Sequence, residues 1–254
     1  FGGPVFDFSR SGPEPQSVSC RPLVYRVVIY HFLFNIYYFA FFTDGTTVLG
    51  IAAQFFVAGY ETVSTTLSFG LYELALNQEI QRKLKDELRN ALKEDGELDY
   101  GTVHKIPYLD QVVKETLRKY PILPYLDRHC TKEYRIPDSD LVLYPGSTVY
   151  IPMFGLHYDE KYFPNPNGFI PERFSTENKD NFPATAYLPF GLGPRICIGE
   201  RFALTSTKLA IAKLLLEYDI EPCEETPIPV EFKASGITLV PTKKLMLKFK
   251  NSHN

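Results

Sequence analysis

One cysteine lies in a glycine-rich segment that could present a reactive sulfur. Residues 190–199 read FGLGPRICIG, with glycines on both sides of Cys197, and glycine lets the backbone approach another group closely. A helix is predicted to begin directly after Cys197, and its amide dipoles favour negative charge on the sulfur. Arg195 adds positive charge two residues away. A thiolate presented in this way suits a metal ligand or a nucleophile.

Two other interpretations of this segment are weaker. A dinucleotide-binding loop needs a third glycine where Ile196 stands, and no strand–helix–strand unit is predicted around it. A cysteine nucleophile needs a histidine partner, and although His129 and His157 are available, nothing in their sequence context singles them out. The four cysteines are far apart in the chain and form no CxxC pair. This excludes a disulfide-dense scaffold and a ribbon-type zinc site.

A second group of polar residues interrupts a long apolar stretch. Thr46 to Asn77 contains no proline and predicts a helix that is apolar all round, as in the middle of a large domain. Within it, residues 58–62 read AGYET and place Glu61 and Thr62 among apolar neighbours. One interpretation is a kink in which Thr62 bonds back to the carbonyl one turn earlier. The other is a groove opened for a ligand that receives a proton, and the motif alone favours the kink.

A charged pair occupies a predicted helix that ends before Pro121. Glu115 and Arg118 are three residues apart, so they share a face of the helix and can touch. Such pairs are common on surface helices, but apolar neighbours on this helix indicate that it is well packed and favour an internal pair over a surface one. A buried pair then needs further partners to offset its desolvation.

Periodic and alternating patterns predict further helices and short strands. The helices cover 78–93, with its charges on a solvated face, and 198–218. Short alternating runs between 121 and 152 predict a small sheet, and 159–190 predicts a long irregular segment of a kind that wraps around something. Further strands are predicted near 231–233, 237–240 and 245–249. The expected fold class is therefore mainly α with small β-sheets (α+β).

Composition limits the functional classes. The chain has 254 residues, of which 44% are hydrophobic and 22% charged, enough for a core in one large domain or two small ones. The formal net charge is −3, and no basic block stands out. The charge pattern therefore argues against a nucleic-acid partner.

Residues 1–44 differ from the rest of the chain. Residues 1–22 are rich in Gly, Pro, Ser and Arg, and 23–42 form an apolar run long enough to cross a bilayer. Three interpretations of that run stay open: a membrane span, a buried helix with paired polar groups, and a misjoined end of the coding sequence. The run is too long for a signal peptide and no small-residue cleavage site follows it.

The spacing FxxGxRxCxG over residues 190–199 resembles the haem-binding signature of the cytochrome P450 family, the haem-thiolate monooxygenases. Three other motifs resemble that family in the same order. AGYET at 58–62 is similar to the oxygen-activation motif of its long central helix, and ETLR at 115–118 to its ExxR pair. PERF at 171–174 is similar to the segment whose arginine, here Arg173, completes an Arg–Glu–Arg network. That arginine is the further partner that the charged pair needs.

The resemblance covers residues 45 to about 250 of this chain. The amino-acid sequence there is most similar to microsomal insect-type members. It corresponds to only the C-terminal half of the proteins of the family. Residues 45–254 are therefore expected to form the C-terminal portion of the cytochrome P450 fold. Residues 1–44 are expected to be non-homologous or misjoined, with a candidate hydrophobic span at 23–42. The amino-terminal half of the family is expected to be missing, so we expect the 254 residues alone not to form a working enzyme.

The resemblance also implies a role for each matching residue. Cys197 is implied as the axial ligand of haem iron, and Glu61 with Thr62 as the acid–alcohol pair that relays protons to oxygen. Arg128 and Arg195 are implied as the arginines that pair with haem propionates. Other haem contacts are implied at Ala58, Phe190 and Gly191. Substrate-lining positions are implied at Val57, Ile122, Leu123 and Ile237. The structural network is implied at Glu115, Arg118 and Arg173.

The function that the resemblance implies is insertion of one oxygen atom of O2 into an apolar small molecule of xenobiotic, lipid or hormone type. The implied cofactor is haem b, with electrons from NADPH through NADPH–cytochrome P450 reductase and with cytochrome b5 as an additional donor. The implied location is the cytoplasmic face of the endoplasmic reticulum (microsomal) membrane. Two alternatives stay open: a haem-thiolate isomerase or lyase, which the retained Glu61 and Thr62 disfavour, and an inactive fragment without haem.

Overall fold

The computed structural model describes residues 20–22, 47–93, 98–178, 180–233 and 238–252. The helices are α1 (Thr47–Leu76), α2 (Gln78–Asn90), α3 (Tyr100–Val103), α4 (Pro107–Lys119), α5 (Met153–His157) and α6 (Glu200–Glu217). The strands are β1 (Cys20–Pro22), β2 (Tyr125–His129), β3 (Tyr134–Arg135), β4 (Val142–Leu143), β5 (Thr148–Pro152), β6 (Tyr218–Pro222) and β7 (Met246–Asn251). The apolar run at 23–42 lies outside the described residues, as does Ile237.

Helix α1 is long because its sequence contains no proline, and its two halves lie in different surroundings. From Thr65 to Ala75 the helix is almost entirely buried. Nearer its start, Phe55 and Phe56 are largely exposed, Phe56 by 72%. The prediction of a helix in the middle of a domain is therefore right for the C-terminal half of α1, whereas the described residues leave much of the N-terminal half open.

The core lies where α1, α2, α4 and α6 meet. Phe69 of α1 is wholly buried and stacks on Tyr120, with 4.3 Å between the ring centroids. Leucine, valine and isoleucine side chains of the surrounding helices fill the rest: Leu84, Leu88, Leu109, Val112, Ile211 and Leu215. Close packing of this kind makes each side chain expensive to truncate.

Helix α2 corrects one expectation about charge. The helix ends at Asn90, three residues before the predicted end. Its predicted solvated face contains Lys85, yet that side chain is buried. Lys85 Nζ donates to Asp219 and, at 2.7 Å, to the hydroxyl of Ser252. The correction has a physical reason, because strands β6 and β7 cover this face with oxygen acceptors.

The β-structure is more divided than predicted. The predicted sheet between 121 and 152 consists of two antiparallel pairs, β2 with β5 and β3 with β4. The third sheet has the order β1–β7–β6, and β6 was not predicted. Near 231–233 the structure contains one isolated bridge, between Phe232 and Pro241. The expected class, mainly helical with small antiparallel sheets, is confirmed.

The segment between residues 159 and 190 is irregular, as predicted, and it wraps around a charge. Short 3-10 turns form at Pro171–Phe174 and Ala184–Ala186. Carbonyl groups of Pro166 and Gly168 point at the guanidinium of Arg118 on α4. Within the described residues no helix is long and apolar enough to cross a membrane.

Candidate active site at the cysteine loop

The cysteine loop, residues 190–197, is a closed turn that leaves its sulfur accessible. The backbone N–H of Cys197 donates to the carbonyl of Phe190 at 2.9 Å and joins the two ends. Gly191 and Gly193 both have φ near +79°, a left-handed conformation that glycine adopts without strain. Phe190 is partly buried against the core, while Cys197 is exposed. The loop is thus anchored at one end and presents a thiol at the other.

Helix α1 lies against the helix that follows the loop. A Cβ atom placed on Gly59 would sit 3.5 Å from the ring of Phe202, near the start of α6. Ordinary van der Waals contact therefore joins the 58–62 motif to the residues directly after Cys197. The structure brings together two motifs that are separated by more than a hundred residues in the sequence.

The polar pair of α1 has separate partners. Thr62 Oγ1 donates to the carbonyl of Ala58 at 2.6 Å, one turn earlier. Glu61 Oε1 accepts a hydrogen bond from the hydroxyl of Thr238 at 3.2 Å. The back-bond predicted for Thr62 is present, and it leaves the lone pairs of that hydroxyl available to accept another hydrogen bond.

The two arginines lie at the edge of the cysteine loop. Leu126 Cδ1 of strand β2 is 3.8 Å from the Cβ position of Gly191. Because side chains two apart in a strand share a face, Arg128 projects on the same side of β2 as Leu126. Arg128 Nη1 donates to the carbonyl of Asp127 at 2.7 Å, and Arg195 is exposed within the loop itself. Positive charge therefore flanks the loop.

The predicted substrate-lining residues are brought together in part. Leu239 N–H donates to the carbonyl of Ile122 at 3.0 Å, and the adjacent Thr238 bonds to Glu61. Ile122 is thus linked to Glu61 of α1 through the adjacent residues Thr238 and Leu239. Leu123 is exposed and Val57 is half-buried.

The Glu115–Arg118 pair is wholly buried and fully satisfied. Arg118 Nε donates to one carboxylate oxygen of Glu115 at 2.7 Å, and Nη2 donates to the other at 2.8 Å. Nη1 donates to the carbonyl of His157, and Nη2 also reaches the carbonyls of Pro166 and Gly168. A bidentate pair with this many acceptors offsets much of its desolvation.

Arg173 is the third member of the network that the family resemblance implied. Its Nε lies 3.4 Å from Glu115 Oε1, the oxygen that also accepts from Arg118 Nη2. Its Nη2 donates to the carbonyl of Asn165 at 2.6 Å. The N–H of Ile170 also donates to Glu115, at 2.9 Å. The network therefore ties α4 to the irregular segment that leads into the cysteine loop.

The residue that the sequence did not single out is His157. Its ring is completely buried at the end of α5, between the Arg118 carbonyl and the N–H of Leu188. Burial, together with the neighbouring Arg118 charge, lowers the pKa of His157 to about 4, so the ring is neutral at pH 7. An isolated histidine in a short helix has no periodic or motif signal, so only the three-dimensional structure reveals it.

A groove of about 550 Å³ borders the loop on another side. Its walls are α3 and the start of α6, with Cys197 and Ile198 at one end. Arg201 Nε donates to the hydroxyl of Tyr100 across the groove at 2.6 Å. Arg201 and Phe202 are neighbours on a helix and point in different directions, so this groove and helix α1 lie on different faces of α6.

The donor set at the loop fits a haem group. In the described part of the chain, no cluster of three or more His, Cys, Asp or Glu side chains could hold a metal ion. An iron bound by the single thiolate of Cys197 must therefore bring its other ligands with it, as the iron of a porphyrin does. Exposed Ile196 and Ile198 offer apolar surface, and the two arginines suit carboxylates.

Comparison with known proteins identifies the family of the chain. A sequence model of the family described as "Cytochrome P450" matches residues 43–249. Cytochrome P450 6k1 of Blattella germanica is 45% identical over 209 residues, which is 82% of this chain and 40% of that protein. Probable cytochrome P450 6a13 of Drosophila melanogaster is 48% identical over 200 residues, 77% of this chain and 41% of that protein.

A mammalian relative gives a similar result. Cytochrome P450 3A13 of Mus musculus is 46% identical over 194 residues, which is 76% of this chain and 38% of that protein. The chain belongs to the cytochrome P450 family. It spans about two fifths of the length of the curated relatives named here.

Proposed function

We propose that these residues form the thiolate-bearing part of a haem monooxygenase that inserts one oxygen atom of O2 into an apolar small molecule. The observation that carries the proposal is the exposed thiol of Cys197 on a glycine turn, in contact through α6 with the 58–62 motif of α1. Family membership supports haem as the group that this thiol binds. Residues 45–254 are proposed to be the C-terminal half of the haem domain.

Haem b, when bound, supplies the iron centre at which molecular oxygen is activated. Cys197 would hold it through its thiolate, an electron-rich ligand. Phe190, the first residue of the loop, packs against the core, and Gly191 allows the turn that brings the backbone close. Arg128 and Arg195 would bind the haem carboxylates, because a guanidinium fork matches carboxylate geometry.

The side chains of α1 are proposed to leave room for a bound group and to transfer protons. Ala58 and Gly59 are small, so the helix can pass close to a bound group. Thr62 donates its own proton to the Ala58 carbonyl and accepts a hydrogen bond from a water, which it thereby orients. Glu61, whose Oε1 accepts from the Thr238 hydroxyl, would take up a proton from solvent and pass it to that water.

The substrate is proposed to be apolar, of xenobiotic, lipid or hormone type. Support comes from the side chains assigned to its pocket, which are all aliphatic: Val57, Ile122, Leu123 and Ile237. Burial of apolar surface in such a pocket favours ligands of that kind.

Electrons are proposed to come from NADPH through NADPH–cytochrome P450 reductase, with cytochrome b5 as an additional donor. The proposed location is the cytoplasmic face of the endoplasmic reticulum membrane. Both proposals are supported by the family resemblance.

The proposal is tested by replacing Cys197 with serine in the full-length protein. Cys197→Ser is expected to abolish the thiolate-type absorption band of the reduced carbon monoxide complex, since a serine oxygen is a poor mimic of a thiolate ligand. The matched control is Cys130→Ser, which keeps a donor for the carbonyl of Lys132 and should retain the band. Retention of the band in Cys197→Ser would remove this residue as the ligand.

A further measurement separates monooxygenation from the isomerase or lyase alternative. A monooxygenase consumes NADPH and O2 in proportion to product, whereas an isomerase or lyase turns substrate over without added electrons. Turnover that is independent of NADPH would contradict the proposed reaction and leave the ligand assignment intact.

A further inference from the structure

His157 is a buried group that the proposed chemistry does not use. The side chain has no exposed surface and sits at the end of α5, a helix of five residues. Both ring nitrogens are within hydrogen-bond distance of backbone groups on distant segments. Nδ1 lies 3.1 Å from the carbonyl oxygen of Arg118, and Nε2 lies 3.2 Å from the backbone nitrogen of Leu188.

These partners fix the tautomer of the ring. A carbonyl can only accept a hydrogen bond and a backbone N–H can only donate one. Nδ1 must therefore carry the proton and donate to Arg118, while Nε2 accepts from Leu188. Protonation of Nε2 would set two donors against each other, so the geometry specifies the neutral Nδ1–H form.

On one side, His157 is joined to the charged network by two hydrogen bonds, one donated by Arg118 and one donated by the His157 ring. Arg118 Nη1 donates to the His157 carbonyl at 2.9 Å, while the His157 ring donates to the Arg118 carbonyl. Arg118 is itself held by the bidentate bond to Glu115. The histidine ring is thus attached to the most completely satisfied polar group of the core.

On the other side, His157 is joined to the base of the cysteine loop. Leu188 is buried and stands two residues before Phe190, whose carbonyl accepts the Cys197 N–H. The Leu188 carbonyl in turn accepts the N–H of Gly191 at 3.0 Å. The hydrogen bond from Leu188 to His157 therefore fixes the backbone at the point where the loop begins.

Aromatic packing prevents the ring from turning away. Tyr187 stacks on it with centroids 5.4 Å apart, and Phe163 meets it edge-on at 6.3 Å. The Tyr187 hydroxyl donates to the carbonyl of Lys114 on α4 at 3.0 Å. The imidazole is held in one orientation by groups from three separate segments.

We propose that His157 is a positioning residue that sets the place of the cysteine loop relative to the Glu115–Arg118 pair, by accepting the N–H of Leu188. The inference rests on the proposed function in one respect, that Cys197 is the group being positioned. The connection runs from Arg118 through the ring to Leu188, and two backbone hydrogen bonds, Gly191 to Leu188 and Cys197 to Phe190, continue it to the sulfur-bearing residue.

Two half-mimics of histidine test the role in the full-length protein. In His157→Gln the amide can place an acceptor near the Nε2 position, opposite the Leu188 N–H. In His157→Asn the shorter amide places its donor near the Nδ1 position and offers Leu188 no acceptor. Amide hydrogen exchange at 188–197 is expected to stay close to wild type in His157→Gln. It is expected to accelerate about tenfold or more in His157→Asn, because a buried N–H is left unpaired.

The spectroscopic readout follows the same order. The thiolate share of the reduced carbon monoxide spectrum should persist in His157→Gln and fall in His157→Asn, with the lost intensity moving to the thiol-type band. The matched control is His129→Asn, the same change at an exposed histidine on β2, which should change neither readout. Equal exchange in the Asn and Gln variants, whether slow or fast, would overturn the positioning role.

A measurement on the unchanged protein guards against variants that fail to fold. The ¹⁵N shifts of the His157 imidazole should show a protonated Nδ1 and a bare Nε2, and the opposite tautomer would overturn the inference. Neither this measurement nor hydrogen exchange depends on what Cys197 binds. If Cys197→Ser kept the thiolate band, the proposed ligand would fail while the tautomer and exchange results still decided the role of His157.

Discussion

The two halves of helix α1 have opposite environments on a single continuous backbone. In the C-terminal half, Phe69 has no exposed surface and polar groups such as Glu73 are buried with partners. In the N-terminal half, which carries the 58–62 motif, Phe56 is 72% exposed although it is the same residue type. Helix propensity does not distinguish the halves, so the difference comes from tertiary packing.

The contrast separates the part that stabilises the fold from the part that is proposed to carry the chemistry. The closed half is surrounded by α4 and α6 and adjoins a buried network whose members satisfy one another. The open half and the cysteine loop present small residues, an exposed thiol and apolar surface. Truncations in the closed half should therefore destabilise the protein, and changes in the open half should alter binding and reaction.

The largest effect on stability is expected for Glu115→Ala. Removing this carboxylate leaves the fully buried Arg118 without its ion-pair partner, which costs about 3–5 kcal/mol in the free energy of unfolding. That is a large share of the stability of a typical domain. The variant should yield protein without haem or aggregated protein, as measured by haem content and denaturant unfolding.

An exposed pair of the same spacing provides the control. Asp86 and Arg89 on α2 are also three residues apart, but both side chains are more than half exposed. Asp86→Ala is expected to change the free energy of unfolding by less than about 1 kcal/mol. Normal haem content in Glu115→Ala would show that burial of the network does not matter to the fold.

The second expected effect compares the two phenylalanines of α1 directly. Phe69→Ala removes a ring that stacks on Tyr120 in the core and should cost about 3–5 kcal/mol. Phe56→Ala removes an exposed ring and should change stability by less than about 1 kcal/mol in this 254-residue chain. Urea unfolding of both variants measures the difference. An equal loss in the two would mean that another segment covers the open half.

The sequence predicted the parts of this arrangement that depend on spacing. Glu115 and Arg118 had to share a helical face because they are three residues apart, and the glycines around Cys197 implied a turn with a presented sulfur. The exposure of Phe56 was not predictable, because apolar residues on every side of a helix carry no information about which neighbours cover them.

Long-range polar contacts were the other part that the sequence could not provide. Lys85 reads as a surface residue until β6 and β7 cover it, and strand β6 itself follows α6 without a turn signal. His157 contacts Arg118 and Leu188, which are 39 and 31 residues away along the chain. No local pattern encodes such distances.

The third prediction concerns the stability of the protein at acidic pH. Folding lowers the pKa of His157 from its ordinary value of 6.5 to about 4, so the unfolded chain binds more protons than the folded one between these values. The resulting stabilisation is present above pH 6.5 and is lost as the pH falls toward 4. At pH 5 about 2 kcal/mol should be lost relative to pH 7, at 1.36 kcal/mol per pH unit.

The difference between the unchanged protein and His157→Gln isolates that contribution. The groups facing the ring do not titrate in this interval, because Arg118 stays charged and burial raises the pKa of Tyr187 well above its ordinary value. Urea unfolding at pH 7, 6 and 5 should show the two proteins converging as the pH falls. Parallel curves would mean that folding leaves the pKa of His157 unchanged.

The smallest effect on stability, with the largest effect on reaction, is expected for Thr62→Ala in the open half. The Thr62 hydroxyl donates to the carbonyl of Ala58, and a back-bond of this kind does not stabilise a helix. Alanine in its place has the better helix propensity. The free energy of unfolding should therefore change by less than about 0.5 kcal/mol, and haem and substrate should still bind.

What Thr62→Ala should change is the yield of product per NADPH consumed, because proton delivery to oxygen loses its hydroxyl and hydrogen peroxide is released instead. Thr62→Ser keeps the hydroxyl and should restore the yield. Thr66→Ala is the matched control, since Thr66 makes the same back-bond to Thr62 one turn further along at 2.9 Å, in the closed half. If product per NADPH stayed unchanged in Thr62→Ala, the back-bond would be the whole role of this residue. The open half of α1 would then have to act through Glu61 alone.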